Sequence, residues 1–171
     1  METKILSSPV YGGGVERSET EGGDAPQVVA ISRTWIGTPY VHQASVRGAG
    51  CDCLGLLRGV WRELRGEEAE LPEPYSPDWA EAGRNETLYK ALRRHMTEIE
   101  RTAYGPGDVV LFRMSPRSPA KHCGIVGEQM LDRARPSRHV LTLIHARQNR
   151  RVAEELFSPF WRSKLAHAFR L

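Results

Sequence analysis

The sequence predicts an α+β protein in which N-terminal helices pack on a central antiparallel β-sheet of about five strands. Apolar residues recur at helical spacing in the first half of the chain, whereas short strand-like runs follow one another from residue 108 onward. The length of 171 residues suits one domain with its own core. Because the helices come first and the strands follow, the sheet should be antiparallel rather than built from βαβ units.

Composition excludes several classes of protein. The net charge of +3 is too small to indicate nucleic acid as the partner, and no apolar run approaches the length of a membrane span. Three cysteines do not form a secreted disulfide framework, and the first residues contain no apolar core of a signal peptide. We predict a flexible or partner-ordered extension over residues 1–26, rich in Gly, Ser and Glu, and a single domain over residues 27–171.

Three helices are predicted, each from a periodic apolar face and its end signals. The first covers residues 26–36 and ends at Gly37. The second covers residues 53–65, with Asp52 as its N-cap and Gly66 at the C-terminal glycine position. The third covers residues 86–98 after Asn85, with Leu88, Leu92 and Ile99 directed inward. A proline-rich connector separates the second helix from the third.

Five strands are predicted after these helices. Each is a short run of apolar and β-branched residues bounded by turn-forming residues. In chain order they are "DVVLFRM", "KHCGIVGE", "HVLTLIHA", "RVAEELF" and "KLAHAFRL".

The segment "GAGCDCLGLLRG" places two cysteines at the start of the second helix. Unpaired N–H groups and the helix dipole favour a thiolate in the first turn, and the thiolate is the nucleophilic form of cysteine. Cys53 is the first residue after the Asp52 cap, whereas Cys51 precedes the cap, where the same field is weaker. Position therefore favours Cys53 as the reactive thiol and leaves Cys51 as the alternative.

A cysteine nucleophile needs a nearby base, and the base needs a residue that orients it. In the strand "KHCGIVG", alternation places Cys123 on the core side with Ile125 and directs His122 to the other face, which we expect to be the face towards the helix of Cys53. His145 ends a neighbouring buried strand and could orient His122. Taken singly, a strand histidine is more often a hydrogen-bonded core residue than a catalyst. That structural interpretation is preferred for the remaining four: His42, His95, His139 and His167.

Other chemistry is disfavoured by spacing. Zinc-binding cysteine pairs usually have two to four residues between them, whereas Cys51 and Cys53 have only one, and no second pair follows. A disulfide between them would close a very tight loop and strain the start of the helix. We therefore predict no metal and no cofactor. The Arg-rich segments "RARPSRH" and "RQNRR" are interpreted as solvated loops.

Four stretches, taken in order, resemble the NlpC/p60 cell-wall peptidases, which are papain-like cysteine hydrolases of bacterial peptidoglycan. They are "WIGTPYVHQASVRGAGCDCLGLLRGVW", "GPGDVVLF", "KHCGIVG" and "LIHARQNRRV", and together they extend over about residues 27–157. The resemblance implies a papain-like fold and hydrolysis of a peptidoglycan stem peptide, commonly at the bond between D-γ-glutamate and the following diamino acid.

Carried over residue by residue, the resemblance implies a Cys-His-His triad. Cys53 is the nucleophile, His122 the general base and His145 the residue that orients the imidazole. Tyr40 matches a tyrosine close to the nucleophile that helps to bind the substrate or polarise the scissile carbonyl. Asp52 matches an acidic residue that helps to bind the free amine of the stem peptide. The N–H of Cys53 would contribute to the oxyanion hole.

The sequence departs from the family pattern at three places and resembles one branch of the family more closely than the others. Leu54 replaces the usual Ser, Gln43-Ala44 replaces the usual Gly-Gly, and Cys51 is an additional thiol. The segments "PYVHQAS", "GCDCLGL", "PYSPDWAEA" and "AHAFRL" resemble the branch found in tailed phages and gene transfer agents.

That branch implies a small virion component that opens the cell wall locally during DNA delivery. The protein would be made in the bacterial cytoplasm, bound to tail or baseplate proteins, and active in the periplasm of the target cell. The absence of a signal peptide agrees with this expectation. Two alternatives remain: a structural tail component with a residual hydrolase site, and a cytosolic papain-like amidase or acyltransferase.

Overall fold

The computed structural model describes residues 24–73, 75, 85–130 and 139–171. Residues 1–23 of the predicted extension, and residues 74 and 76–84 between the second and third predicted helices, therefore lie outside the described residues. The described residues form four helices: α1 Ala25–Thr34, α2 Cys53–Arg65, α3 Thr87–His95 and α4 Pro159–Lys164. The strands are β1 Ser45–Val46, β2 Gly50–Cys51, β3 Thr97–Ile99, β4 Val109–Phe112, β5 His122–Met130, β6 His139–His145, β7 Ala153–Leu156 and β8 Leu165–Arg170. The predicted α+β class is confirmed.

The central sheet is antiparallel throughout and has the strand order β3-β8-β4-β5-β6-β7. The five predicted strands are all present, and β3 is the sixth. The prediction of a helix over residues 86–98 was wrong at its C-terminal end. The chain becomes extended at Met96, and Ile99 then pairs with Ala168 of β8. These residues form a strand because they pair with a distant strand, and the spacing of apolar residues within the segment cannot predict that pairing.

Helices α1 and α2 cover one face of the sheet. Trp35, which follows α1, is 2% exposed, and its ring lies against Gly59 of α2. A Cβ atom at Gly59 would lie 2.0 Å from Cζ2 of Trp35, so only glycine allows this close approach. The helices bury Leu56, Leu57 and Val60 together with Cys123 and Ile125 of β5.

Helix α4 covers the opposite face of the sheet and was not predicted. Ser158 precedes it and Pro159 occupies its first position, which is a common helix start. Its Trp161 packs with Phe112 of β4 and with Val126 and Leu143 of the two following strands. The sheet is therefore buried on both faces, and each face has its own apolar cluster.

A small hairpin connects α1 to α2. The sequence indicated only a turn-rich loop here, but Ser45 pairs with Cys51 and Val46 with Gly50. Tyr40 lies beside Cys51 in a further bridge, so the hairpin fixes the segment that leads into α2. Among the described residues, no helix is long and apolar enough to cross a membrane.

Candidate active site

Helix α2 begins at a buried aspartate, as predicted. Oδ1 of Asp52 accepts the N–H of Gly55 at 2.7 Å, which is the expected N-cap hydrogen bond. Oδ2 accepts the backbone N–H of Gln43 at 2.8 Å and the hydroxyl of Tyr75 at 2.6 Å. Nδ1 of His42 lies 3.5 Å from the same oxygen. Asp52 is only 2% exposed, so its carboxylate ties the hairpin and Tyr75 to the helix start.

The two neighbouring cysteines have opposite environments. Cys51 is fully buried within β2, and its burial, with the charges of Asp52 and Cys53, raises its pKa to about 12. Cys53 is partly exposed in the first turn of α2, and its Sγ lies 3.9 Å from the carbonyl oxygen of Lys121. Hydrogen bonds from Cys123 and His122, and the positive charge of His122, hold the pKa of Cys53 well below its usual value despite the opposing effect of burial. The thiolate is therefore favoured at Cys53 and disfavoured at Cys51.

His122 is the first residue of β5, and its positive charge helps to lower the pKa of Cys53. Its Nε2 lies 2.9 Å from Nδ1 of His145, the last residue of β6. The ring stacks between Phe112 at 5.8 Å and Trp161 at 5.3 Å, measured between centroids. The three residues of the predicted triad therefore lie in one connected chain.

One orientation in the sequence prediction was wrong. His122 and Cys123 do occupy opposite faces, but the face covered by α2 is that of Cys123. His122 shares the other face with Phe112 and Trp161. It reaches Cys53 because it stands at the end of the sheet, immediately after Lys121, whose carbonyl contacts the Cys53 thiol.

His145 is buried and carries a further partner that the sequence did not reveal. Its burial, together with the positive charges of His122 and Arg147, lowers its pKa to about 3, so the ring is neutral at ordinary pH. Its Nε2 lies 3.1 Å from Oε1 of Glu155 on β7. Nε1 of Trp161 donates to the same oxygen at 2.7 Å. The run "RVAEELF" predicted a strand, but its pairing with β6 was needed to place Glu155 beside His145.

Cys123 is the second residue that sequence reasoning missed. Strand alternation indicated a small core residue, and Cys123 is indeed 1% exposed. However, its Sγ donates to the carbonyl oxygen of Cys53 at 3.3 Å. The neighbouring Cys53 and burial raise the pKa of Cys123, so it remains a protonated donor beside the Cys53 thiolate.

Tyr40 lies on the hairpin side of the same site. Its partial burial and the negative charges of Asp52 and Cys53 raise its pKa to about 12, which keeps the hydroxyl protonated. It is therefore available as a hydrogen-bond donor near the nucleophile. Within the described residues, no group of His, Cys, Asp and Glu side chains is arranged to hold a metal ion.

The arrangement has the parts needed for acyl transfer through a thiolate. Cys53 supplies the nucleophile, and His122 can hold the proton and return it to a leaving amine. The N–H of Cys53 has no acceptor within its helix because it belongs to the first turn, so it can face a developing oxyanion.

Comparison with known proteins identifies the fold. No family model and no curated protein sequence matches the chain. Among solved structures, the NlpC/p60 domain of the peptidoglycan hydrolase SagA is 22% identical, with a TM-score of 0.57 over 86% of this chain and 98% of that one. An NlpC/p60 family protein from Bacillus cereus is 17% identical, with a TM-score of 0.58 over 85% of this chain and 39% of that one.

The peptidoglycan hydrolase RipB from Mycobacterium tuberculosis is 15% identical, with a TM-score of 0.50 over 96% of this chain and 72% of that one. These similarities show that the chain has the NlpC/p60 fold. The expected papain-like architecture is thereby confirmed.

Proposed function

We propose that the protein is a cysteine peptidase that hydrolyses peptidoglycan stem peptides. The observation that supports this function best is the position of His122. It directly follows Lys121, whose carbonyl oxygen lies 3.9 Å from the Cys53 thiol, and its Nε2 lies 2.9 Å from Nδ1 of His145. A thiolate, a base and a residue that orients the base are what nucleophilic hydrolysis of an amide requires. Similarity to structures described as peptidoglycan hydrolases supports the choice of substrate.

The reaction takes two steps. The Cys53 thiolate attacks the scissile carbonyl, and the oxyanion faces the N–H of Cys53. His122 donates its proton to the leaving amine, the C–N bond breaks and a thioester remains. His122 then accepts a proton from water, the hydroxide attacks the thioester, and collapse releases the acid and restores the thiolate.

The resemblance of the motifs suggests the bond between D-γ-glutamate and the diamino acid. Tyr40, a protonated donor near the thiolate, is suited to polarise the scissile carbonyl or to bind the substrate. The Asp52 carboxylate already accepts three hydrogen bonds from the protein, which leaves few of its lone pairs for the free amine of a substrate. We propose that its negative charge attracts the amine, while Tyr75 and His42 form the walls of that subsite.

We further propose that the peptidase acts as a tail component of a phage or gene transfer agent and opens the cell wall during DNA delivery. The segments that resemble this branch support the proposal, and tail or baseplate proteins are the expected partners. Antibodies against the protein should detect it in purified particles. Its absence from particles would favour a cytosolic amidase or acyltransferase instead.

The enzymatic proposal is tested with defined stem peptides and mass spectrometry of the products. Cys53→Ala should lower hydrolysis by at least about 10³-fold because the nucleophile is lost. Cys51→Ser is the matched control, since this buried thiol lies two positions away and should be nearly dispensable for activity.

Cleavage that survives in Cys53→Ala would contradict the assignment. Cleavage lost in Cys51→Ser but retained in Cys53→Ser would identify the other thiol as the nucleophile. A wild-type protein that assembles into particles but cleaves no stem peptide would favour a structural tail component.

A further inference from the structure

The His145 ring has a hydrogen-bonding partner at each of its two nitrogens. Nδ1 lies 2.9 Å from Nε2 of His122, and Nε2 lies 3.1 Å from Oε1 of Glu155. A neutral imidazole carries one N–H, so one nitrogen donates and the other accepts. The choice of tautomer at His145 therefore sets the hydrogen-bonding role of His122.

Trp161 fixes the role of Glu155 as an acceptor. The indole N–H can only donate, and it donates to Oε1 of Glu155 at 2.7 Å. The guanidinium of Arg147 lies 3.6 Å from the other carboxylate oxygen. Because Oε1 accepts from Trp161, it also presents a lone pair to His145. The hydrogen of His145 therefore resides on Nε2, and Nδ1 is left with its lone pair.

This tautomer has a direct consequence for His122. A lone pair on Nδ1 of His145 requires that Nε2 of His122 donate its N–H. The other nitrogen of His122, Nδ1, is then the one that exchanges a proton with Cys53. In the opposite tautomer, His145 would donate to Nε2 of His122. A neutral His122 would then carry its proton on Nδ1 and could not accept one from Cys53.

Strand register explains why Glu155 can perform this task. Glu155 lies directly opposite Leu143 in the β6–β7 pair, and Leu143 and His145 point to the same face because they are two residues apart. The adjacent Glu154 points to the other face, where it accepts from Arg33 at 2.8 Å and from Thr142 at 2.6 Å. The two neighbouring glutamates therefore have separate roles.

We propose that Glu155 is a positioning residue that selects the Nε2–H tautomer of His145 and thereby leaves Nδ1 of His122 as the nitrogen that exchanges a proton with Cys53. Its effect on turnover rests on the proposed peptidase function, whereas its effect on the tautomer does not. The proposal extends the predicted Cys-His-His triad by a fourth group on β7.

The test uses Glu155→Ala and Glu155→Gln, with Glu154→Gln as the matched control on the opposite face. Three quantities are measured: the His145 tautomer by long-range ¹H–¹⁵N NMR, the rate of Cys53 alkylation by iodoacetamide at pH 6.5 by peptide mass spectrometry, and stem-peptide hydrolysis. Thermal melts check folding, and Glu155→Leu, which keeps most of the side-chain volume, replaces the alanine variant if that variant is unfolded.

In Glu155→Ala we expect loss of the Nε2–H tautomer and slower alkylation, with hydrolysis reduced by about 10- to 100-fold, the range typical when an outer partner of a functional histidine is removed. Glu155→Gln should retain all three properties, because Trp161 directs the amide oxygen towards His145. Glu154→Gln should leave the tautomer and the alkylation rate unchanged.

Two results would overturn the proposal. The first is a folded Glu155→Ala that keeps both the Nε2–H tautomer and hydrolysis within about twofold of the wild type, well below the effect expected for an outer partner. The second is a Glu155→Gln as impaired as Glu155→Ala, which would assign the effect to charge. Failure of the wild type to cleave any stem peptide would contradict the peptidase function but not the role of Glu155, which the tautomer and alkylation rates decide separately.

Discussion

The candidate site has two halves that are built in different ways. The helix half consists of Cys51, Asp52 and Cys53, three consecutive residues at the start of α2. The sheet half consists of His122, His145 and Glu155, which come from three strands that pair in the order β5-β6-β7. The helix half is local in sequence, whereas the sheet half exists only when distant strands pair in the right register.

Two thiols separated by one residue acquire opposite shifts in pKa. Cys51 and Cys53 share the same local segment and the same neighbouring carboxylate, yet the pKa of Cys51 is raised and that of Cys53 is lowered. The helix start alone cannot account for so large a contrast. Burial raises the pKa of Cys51, whereas contact with Cys123 and His122 of β5 lowers the pKa of Cys53. The contrast between the two thiols therefore depends on tertiary contacts.

Removal of His122 would test this comparison most severely. In His122→Ala we expect hydrolysis to fall by at least about 10³-fold, because the base and its charge are lost. The Cys53 pKa should rise towards the ordinary value of about 8.5, measured as the midpoint of alkylation rate against pH. A midpoint unchanged from the wild type would mean that His122 does not contribute to the acidity of the thiol.

Removal of Asp52 would disrupt the helix half. In Asp52→Ala the N–H groups of Gln43 and Gly55 and the hydroxyl of Tyr75 lose their acceptor. We expect the free energy of unfolding to fall by about 2–4 kcal/mol, measured by urea denaturation. Tyr75→Phe removes one of these hydrogen bonds and should cost about 1 kcal/mol. Equal stability of Asp52→Ala and the wild type would show that the cap is unimportant.

The third prediction concerns acid stability and the sheet half. His145 in the unfolded chain binds a proton as the pH falls below about 6.5, whereas burial, with the charges of His122 and Arg147, keeps the folded ring neutral down to its pKa of about 3. The unfolded state therefore binds more protons in this window. Stability should decrease as the pH falls from 6.5 towards 3, by up to about 1.4 kcal/mol per pH unit.

Urea denaturation at pH 7, 6 and 5 measures this slope. His145→Gln lacks the titrating group and should lose this part of the pH dependence, although its stability at pH 7 will also differ. The comparison is therefore between the two slopes rather than the absolute values. Parallel slopes for the two proteins would refute a neutral, buried His145.

The ends of α2 and the positions of the strands could be predicted because they depend on residues close together in the sequence. The period of the apolar residues, the Asp52 cap and the Gly66 terminus define α2, and the structure begins and ends this helix where predicted. Gly66 adopts a φ of 82°, the left-handed conformation that glycine accepts without strain. The five strand runs were also evident from their composition. Whether residues 97–99 form helix or strand was not, since their partner lies about seventy residues away.

By itself, the sequence determined the α+β class, the start of α2, the preference for Cys53 and the two histidines that accompany it. Only the tertiary structure decided which face of the sheet each histidine occupies and which residues stand behind them. Cys123 and Glu155 join the site through strand register and through the packing of α2 and α4 on opposite faces. These are contacts between residues far apart in the chain, and periodicity within a segment carries no information about them.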